Sequence, residues 1–313
     1  MLRIVRYEAV DRFKWNSFLD KCKNKHFIFY RDYMEYHADR FHDFSLMVFD
    51  EKEKLIALLP ANIAADTVYS HQGLTFGGFL IDERVRTETM VEIFSTLCDF
   101  LKKAGVAKLI YKCIPYIYHS LPAEEDRYAL FLVDARLFRR DVSSAISLAQ
   151  GTKYTKGRKW SINKAKKEGV VVESLVVTDE YWNLLECVLR SQHKAAPVHS
   201  REEINSLRKK FPENIKIYVA RLAGEVVAGT VVYENETIAH TQYLANSDAG
   251  REIGALDLVI DYLITSVYAS KRFIDFGISN ENAGRYLNAG LIAQKEGFGA
   301  RAVVHDFYEL NIK

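Results

Sequence analysis

Apolar positions along this chain fall into two periods that alternate from one end to the other. Alternating or continuous apolar runs at 45–49, 55–64, 107–112, 170–177, 215–221, 226–233, 237–244 and 273–276 predict strands. Apolar residues three and four apart at 15–22, 30–41, 84–104, 180–192, 201–210 and 254–270 predict helices with one buried face. Boundary chemistry agrees with the periods. Gly105 is placed to end the 84–104 helix, Ser200 and Glu203 have capping-box spacing, and Gly224 marks a turn between paired strands.

The order of elements occurs twice. Ser70-His71-Gln72 lies opposite His240-Thr241-Gln242, and Lys108-Leu109-Ile110-Tyr111 opposite Arg272-Phe273-Ile274-Asp275, at an offset of about 170 residues. The pattern predicts an internal duplication of one α/β unit, divided into residues 1–140 and 141–313.

Composition narrows the class. The chain has 313 residues, room for two ordinary domains, and 49% apolar with 27% charged residues is the profile of a globular protein with a core. With a net charge of only +2, any basic surface is local, which argues against DNA as a partner. Residues 1–8 reach charge at once and lack a secretory apolar core, so a cytoplasmic location is expected. The greasiest helix, 255–269, carries Asp257 and Asp261 and falls short of the roughly 18 apolar residues of a span, leaving a membrane as at most a peripheral neighbour. Cys22, Cys98, Cys113 and Cys187 form no CxxC pair and read as reduced thiols, and no metal site is expected.

Several residues carry candidate chemistry. Asp275 sits in a four-residue apolar strand, where a carboxylate needs a partner or a raised pKa; it reads as a base or as an anchor for Arg272 or Arg285. His193 and His199, in a loop between two helices, are candidate bases near neutral pH. Period two puts His240 and Gln242 on one strand face and Tyr243 on the other. Ser279, Asn280 and Asn282, with Arg285, follow the 273–276 strand as candidate substrate contacts. Between Lys153 and Lys167 seven basic residues precede the first acid, Glu168, and this run with Arg158 and Trp160 suits a phosphate-rich ligand.

These features together resemble tandem GNAT acyltransferase domains, and in detail the Fem family of aminoacyl transferases and its acetyltransferase-like relatives. The matching stretches are 164–172 behind Arg158, Gly224-Glu225-Val226-Val227-Ala228-Gly229, Gln242-Tyr243-Leu244-Ala245-Asn246, Phe273-Ile274-Asp275-Phe276-Gly277 and 291–299. The resemblance implies an α/β (α+β) fold of two tandem GNAT-like domains, each a mixed, mostly antiparallel sheet flanked by helices. It also implies an N-acyltransferase acting on an amine of a cell-envelope precursor, either an amino sugar or a peptidoglycan peptide. The donor, acyl-CoA or aminoacyl-tRNA, stays open, and no tightly bound cofactor is implied. Lys295 matches the lysine of the Fem pattern and is expected to place a fixed ammonium on a carbonyl or phosphate. A backbone N–H near Ala245 or Asn246 is expected to serve an oxyanion. The loop 246–250 with Arg251 and Gly254 approximates a pyrophosphate loop, its closing small residue displaced by one. The other reading of the same features is a catalytically silent module that binds a phosphorylated ligand or a protein. The oligomeric state is not set by the sequence.

Overall fold

The structure is a computed structural model that describes residues 2–313, the side chain of His193 excepted. The chain forms two compact units: one holds the residues up to Asp141 with Asn282–Tyr286 and Val304–Lys313, the other Val142–Glu281 with Leu287–Val303.

In the first unit β1 (Arg3–Arg6), β2 (Leu46–Phe49) and β3 (Leu55–Leu59) are antiparallel, with a short helix α1 (Arg12–Leu19) between β1 and β2. The apolar run expected as one strand over 55–64 breaks at Pro60, which has no N–H to donate to a ladder. Strand β4 (Thr67–Tyr69) follows, then α2 (Thr87–Lys103), whose Met90, Ile93, Phe94, Leu97 and Leu101 are all buried in the core of this unit. Strand β5 (Lys108–Lys112) runs parallel to β4. Its other neighbour, antiparallel, is the chain's last strand, through residues 307–311. Helix α3 (Glu125–Leu132) packs on α2.

Strand β6 (Arg136–Ser147) shares its residues between the units, the second unit taking 142–147. The second unit continues with α4 (Lys156–Lys167), β7 (Val171–Ser174), α5 (Asp179–Val188) and α6 (Arg201–Lys210). Ser200 and Glu203 make the expected capping box at α6. Strands β8 (Ile215–Leu222), β9 (Glu225–Glu234) and β10 (Ile238–Asn246) form an antiparallel meander. Helices α7 (Asp248–Ile253) and α8 (Ala255–Tyr262) lead to β11 (Phe273–Ile278), parallel to β10, and residues 143–147 complete this order on the far side of β11. Helix α9 (Ala289–Glu296) and β12 (Arg301–Asn311) end the chain. α4 and α8 cover one sheet face, burying Ala239, Ile274, Phe276 and Phe298 with Leu258 and Val259, while α5 packs on β9 and β10. No helix among the described residues is long and apolar enough to cross a membrane.

Candidate active site

Strands β10 and β11 pair for only three residues, Ile238–Phe273, Ala239–Ile274 and His240–Asp275, and then separate. Beyond that point β10 keeps its bonds to β9 while β11 turns through Gly277, so a gap opens between two strands of one sheet. At its base, Asp275 is fully buried. Its Oδ2 lies 2.9 Å from His240 Nδ1, and its Oδ1 accepts from Ser143 Oγ and, at 3.0 Å, from the Gly277 amide. A carboxylate can only accept, so Nδ1 carries the imidazole proton and Nε2 is left as the basic nitrogen. Asp275 is therefore an acceptor held by His240, Ser143 and the Gly277 amide rather than a group poised to take a proton. The structural reason is register: parallel pairing puts residues 240 and 275 side by side.

Gly277 keeps the gap open. It holds φ +74, and a Cβ there would lie 3.1 Å from His240 Cε1.

The expected faces of β10 change as well. Val231 pairs with Tyr243 but Val232 pairs with Thr241, so Gln242 is an extra, bulged residue. Tyr233 pairs with His240, and Val231 and Tyr233 share a face, so His240 and Tyr243 share one too. That face meets α5: the Tyr243 ring lies edge-on to Trp182, with centroids 5.6 Å apart, and Tyr181 donates to the Tyr243 carbonyl. His199, expected in an open loop, is buried against this phenol. Its backbone N–H donates to the Tyr243 hydroxyl, and its Nδ1 shares a hydrogen bond with the same oxygen at 2.6 Å. Burial pushes the phenol pKa up to about 12. The side chain of His193 lies outside the described residues.

Lys295 reaches β11 from α9. Its ammonium is buried and donates to the carbonyls of Gly277 and Ile278, each at 2.8 Å. The side chain expected to meet a ligand thus braces the strand end that positions Asp275. Burial lowers its pKa to about 8, against a raising effect of Asp275.

Open hydrogen-bonding capacity collects along the same strands. The hydroxyls of Thr241 and Ser279 and the amide oxygens of Gln242 and Asn246 are buried without a partner among the described residues. The Ser247 amide donates to Val227 O toward β9, so by alternation the Asn246 N–H points to the other edge of β10, into the gap. Asn280 accepts from the Val142 amide through its side chain. Asn282 and Arg285 are exposed and belong to the segment that packs with the first unit.

Residues 248–250 of the loop expected at 246–250 are helical, while Asn246 ends β10. Ser247 caps α7 by accepting from the Gly250 amide at 3.0 Å, and the Gly254 amide is spent on the Arg251 carbonyl. Gly254 has φ +77, and a Cβ would meet the Ser161 carbonyl of α4 at 2.6 Å. Arg158 of α4 places Nη1 2.7 Å from both oxygens of Asp257 in the first turn of α8. The N-terminus of α8 thus already has a carboxylate and a covering helix where a pyrophosphate would need open amides.

Sequence reasoning missed Ser143, because the charged run Arg136 to Asp141 hides the strand that follows it. The available signal was the uncharged run of small and β-branched residues over 142–147.

The first unit has the same crossing without the chemistry. Thr67–Tyr69 pair with Lys108–Ile110 in the same parallel register, so Tyr69 stands where the second unit has His240, Ile110 where it has Asp275, and Lys112 where it has Gly277. Lys112 fills the position: its amide donates to Ser70 Oγ and its ammonium to the carbonyls of His71 and Leu74.

Comparison with known proteins agrees with this geometry. Residues 161–286 match the family described as Acetyltransferase (GNAT) domain. A tandem GNAT protein from the clavulanic acid biosynthesis pathway superposes with a TM-score of 0.53 at 12% identity, covering 100% of this chain and 99% of its own. The chain has the tandem GNAT fold. FemX shares it, with a TM-score of 0.66 at 8% identity over 97% of this chain and 96% of FemX. So does the C-terminal domain of a protein from Agrobacterium fabrum described as a lysylphosphatidylglycerol synthetase, with a TM-score of 0.62 at 12% identity over 97% and 92% of the two chains. No curated protein matches the sequence. In this tandem GNAT fold the gap of the second unit has His240 and Asp275 at its base, and the matching position of the first is filled by Lys112.

Proposed function

We propose that the protein is an N-acyltransferase that moves an acyl or aminoacyl group onto an amine, with His240 as the general base. The observation that carries this reading is the His240–Asp275 hydrogen bond at the base of the gap. A neutral acceptor amine attacks the donor carbonyl and forms the new N–C bond. His240 Nε2 takes the proton that the nitrogen loses, and Asp275 stabilises the imidazolium that results. The Asn246 N–H is directed to receive the oxyanion, and collapse expels the thiolate of CoA or the ribose oxygen of a tRNA end, which takes up the proton. Tyr243, kept neutral by its high pKa, lies on the same strand face as His240.

The likeness to FemX and to the domain described as a lysylphosphatidylglycerol synthetase favours an acceptor belonging to the cell envelope. The covered N-terminus of α8 favours aminoacyl-tRNA over acyl-CoA as donor. A purely binding module would not need a buried carboxylate orienting a histidine, nor unpaired polar groups along the gap.

The test is transfer itself. Purified protein is incubated with acetyl-CoA, longer acyl-CoA or charged tRNA, together with an amino-sugar nucleotide, a peptidoglycan precursor or an aminolipid, and acceptor mass is followed. An acylated acceptor with wild-type protein and none with His240→Ala is expected. Equal turnover by the two proteins, or none with any pair, counts against the reading.

A further inference from the structure

A groove of ≈ 460 Å³ opens between the start of α4 and the end of α9, and the transfer step above does not use it. One wall presents Gly157, Trp160 and Ser161; the other presents Ala293, Glu296 and Gly297. Trp160 is 64% exposed, whereas Trp15 and Trp182 are fully buried. An indole at the lip of a groove leaves a large flat apolar surface in water, the kind of surface on which planar rings stack.

The charge around that indole has one sign on the α4 side. Lys153, Lys156 and Lys159 are exposed and make no ion pair among the described residues. Lys164 stands 5.4 Å from the Trp160 ring centroid. Thr155 caps α4 through the Arg158 amide, which leaves other first-turn N–H groups facing outward beside Lys156. A Cβ at Gly157 would meet nothing within 4 Å, so the wall is open there. A helix face that served only solubility would not expose a tryptophan among its lysines, and an apolar protein partner would not call for the lysines.

We propose that this groove binds a nucleoside phosphate, with the base stacked on Trp160 and the phosphate held by Lys156 and Lys159. Glu296 is placed on the opposite wall to accept from an exocyclic amino group or a ribose hydroxyl. The proposal rests on the transfer reading for its purpose, since the donors and a nucleotide-linked acceptor considered there all carry a nucleoside phosphate. The source is open between the nucleotide of CoA, a nucleotide-linked sugar and the 3′ end of an RNA.

Because the other two tryptophans are buried, emission from Trp160 reports occupancy directly. The full-length protein is titrated with ADP, UDP, CoA and a CCA-ended RNA oligonucleotide while fluorescence is followed. Saturable quenching by at least one probe is expected, and the tightest probe names the source. The quench is lost in Trp160→Phe, whose tryptophan signal comes only from the core. By calorimetry, the double variant Lys156→Glu/Lys159→Glu binds about tenfold or more weakly, as do adenosine and inorganic phosphate alone. No saturable quenching by any probe at millimolar concentration, or wild-type affinity in the double variant, overturns the groove. Nucleotide binding by a protein that transfers nothing leaves the groove standing and removes the transfer reading. Transfer at the wild-type rate and KM by the double variant does the reverse.

Discussion

His240 and Asp275 are separated by 35 residues and joined by one hydrogen bond, and the proposed chemistry depends on it. In Asp275→Asn the carboxamide no longer enforces the Nδ1–H tautomer. Transfer is expected to fall ~10²–10⁴-fold with the fold retained, measured as kcat/KM beside circular dichroism. Lys295 gives a prediction about stability. Its folded pKa of about 8 lies below the ordinary 10.5, so the unfolded chain binds the proton more tightly. The group's favourable contribution is full above about pH 10.5 and is lost as pH falls to about 8. The melting temperature of the wild type relative to Lys295→Met is therefore expected to rise between pH 8 and 10, and a difference that does not change with pH would show that burial does not govern the ammonium. Asp275 and Lys295 stood out in the sequence because a charge in an apolar strand, or before Gly-Phe-Gly, is conspicuous. Their partners did not, because a carboxylate's neighbour across a parallel pair is fixed by register, which no local pattern encodes.

At the scale of the element, the bulge at Gln242 decides which side chains face α5. Strict alternation from His240 places Tyr243 on the opposite face; one extra residue restores it. Deleting Gln242 is expected to turn Tyr243 toward the α8 core and to break its bond to His199. The double readout is a lowered melting temperature and loss of the edge-on contact of Tyr243 with Trp182, seen as a change in near-ultraviolet circular dichroism. Unchanged spectra and stability would mean that the strand re-forms its bulge elsewhere. The helices that carry strong apolar spacing, α2 and α6 among them, were legible from the sequence together with their caps. The strand over 136–147 was not, because its first half is charged on both faces, and the loop at 246–250 was not, because Ser-Asp-Ala-Gly composition suits a turn and a capped helix alike.

For the whole molecule, the consequence lies in how the chain is shared. Strand β5 of the first unit has residues 307–311 as its antiparallel neighbour, and Leu310 belongs to that unit's core. A fragment of residues 1–141 leaves β5 with an open edge and removes part of the core, so it is expected to be insoluble or molten, whereas adding a 304–313 peptide restores cooperative unfolding. Cooperative melting of the fragment alone would refute this. The duplication was visible in the sequence because each copy repeats the same alternation of periods. That the closing strand of the first copy comes from the end of the chain was not, since the apolar pattern of a strand is the same whichever neighbour it finds.

By itself the sequence determined the class of each long element, the twofold repeat and the placing of conspicuous charges, because periodicity and composition are local properties. The tertiary structure alone decided that His240 meets Asp275, that Lys295 braces the end of a strand, and that Lys112 fills in one copy the position that Gly277 leaves open in the other. Those outcomes depend on register, a bulge and the splaying of two strands, which are set by pairings between residues far apart in the chain.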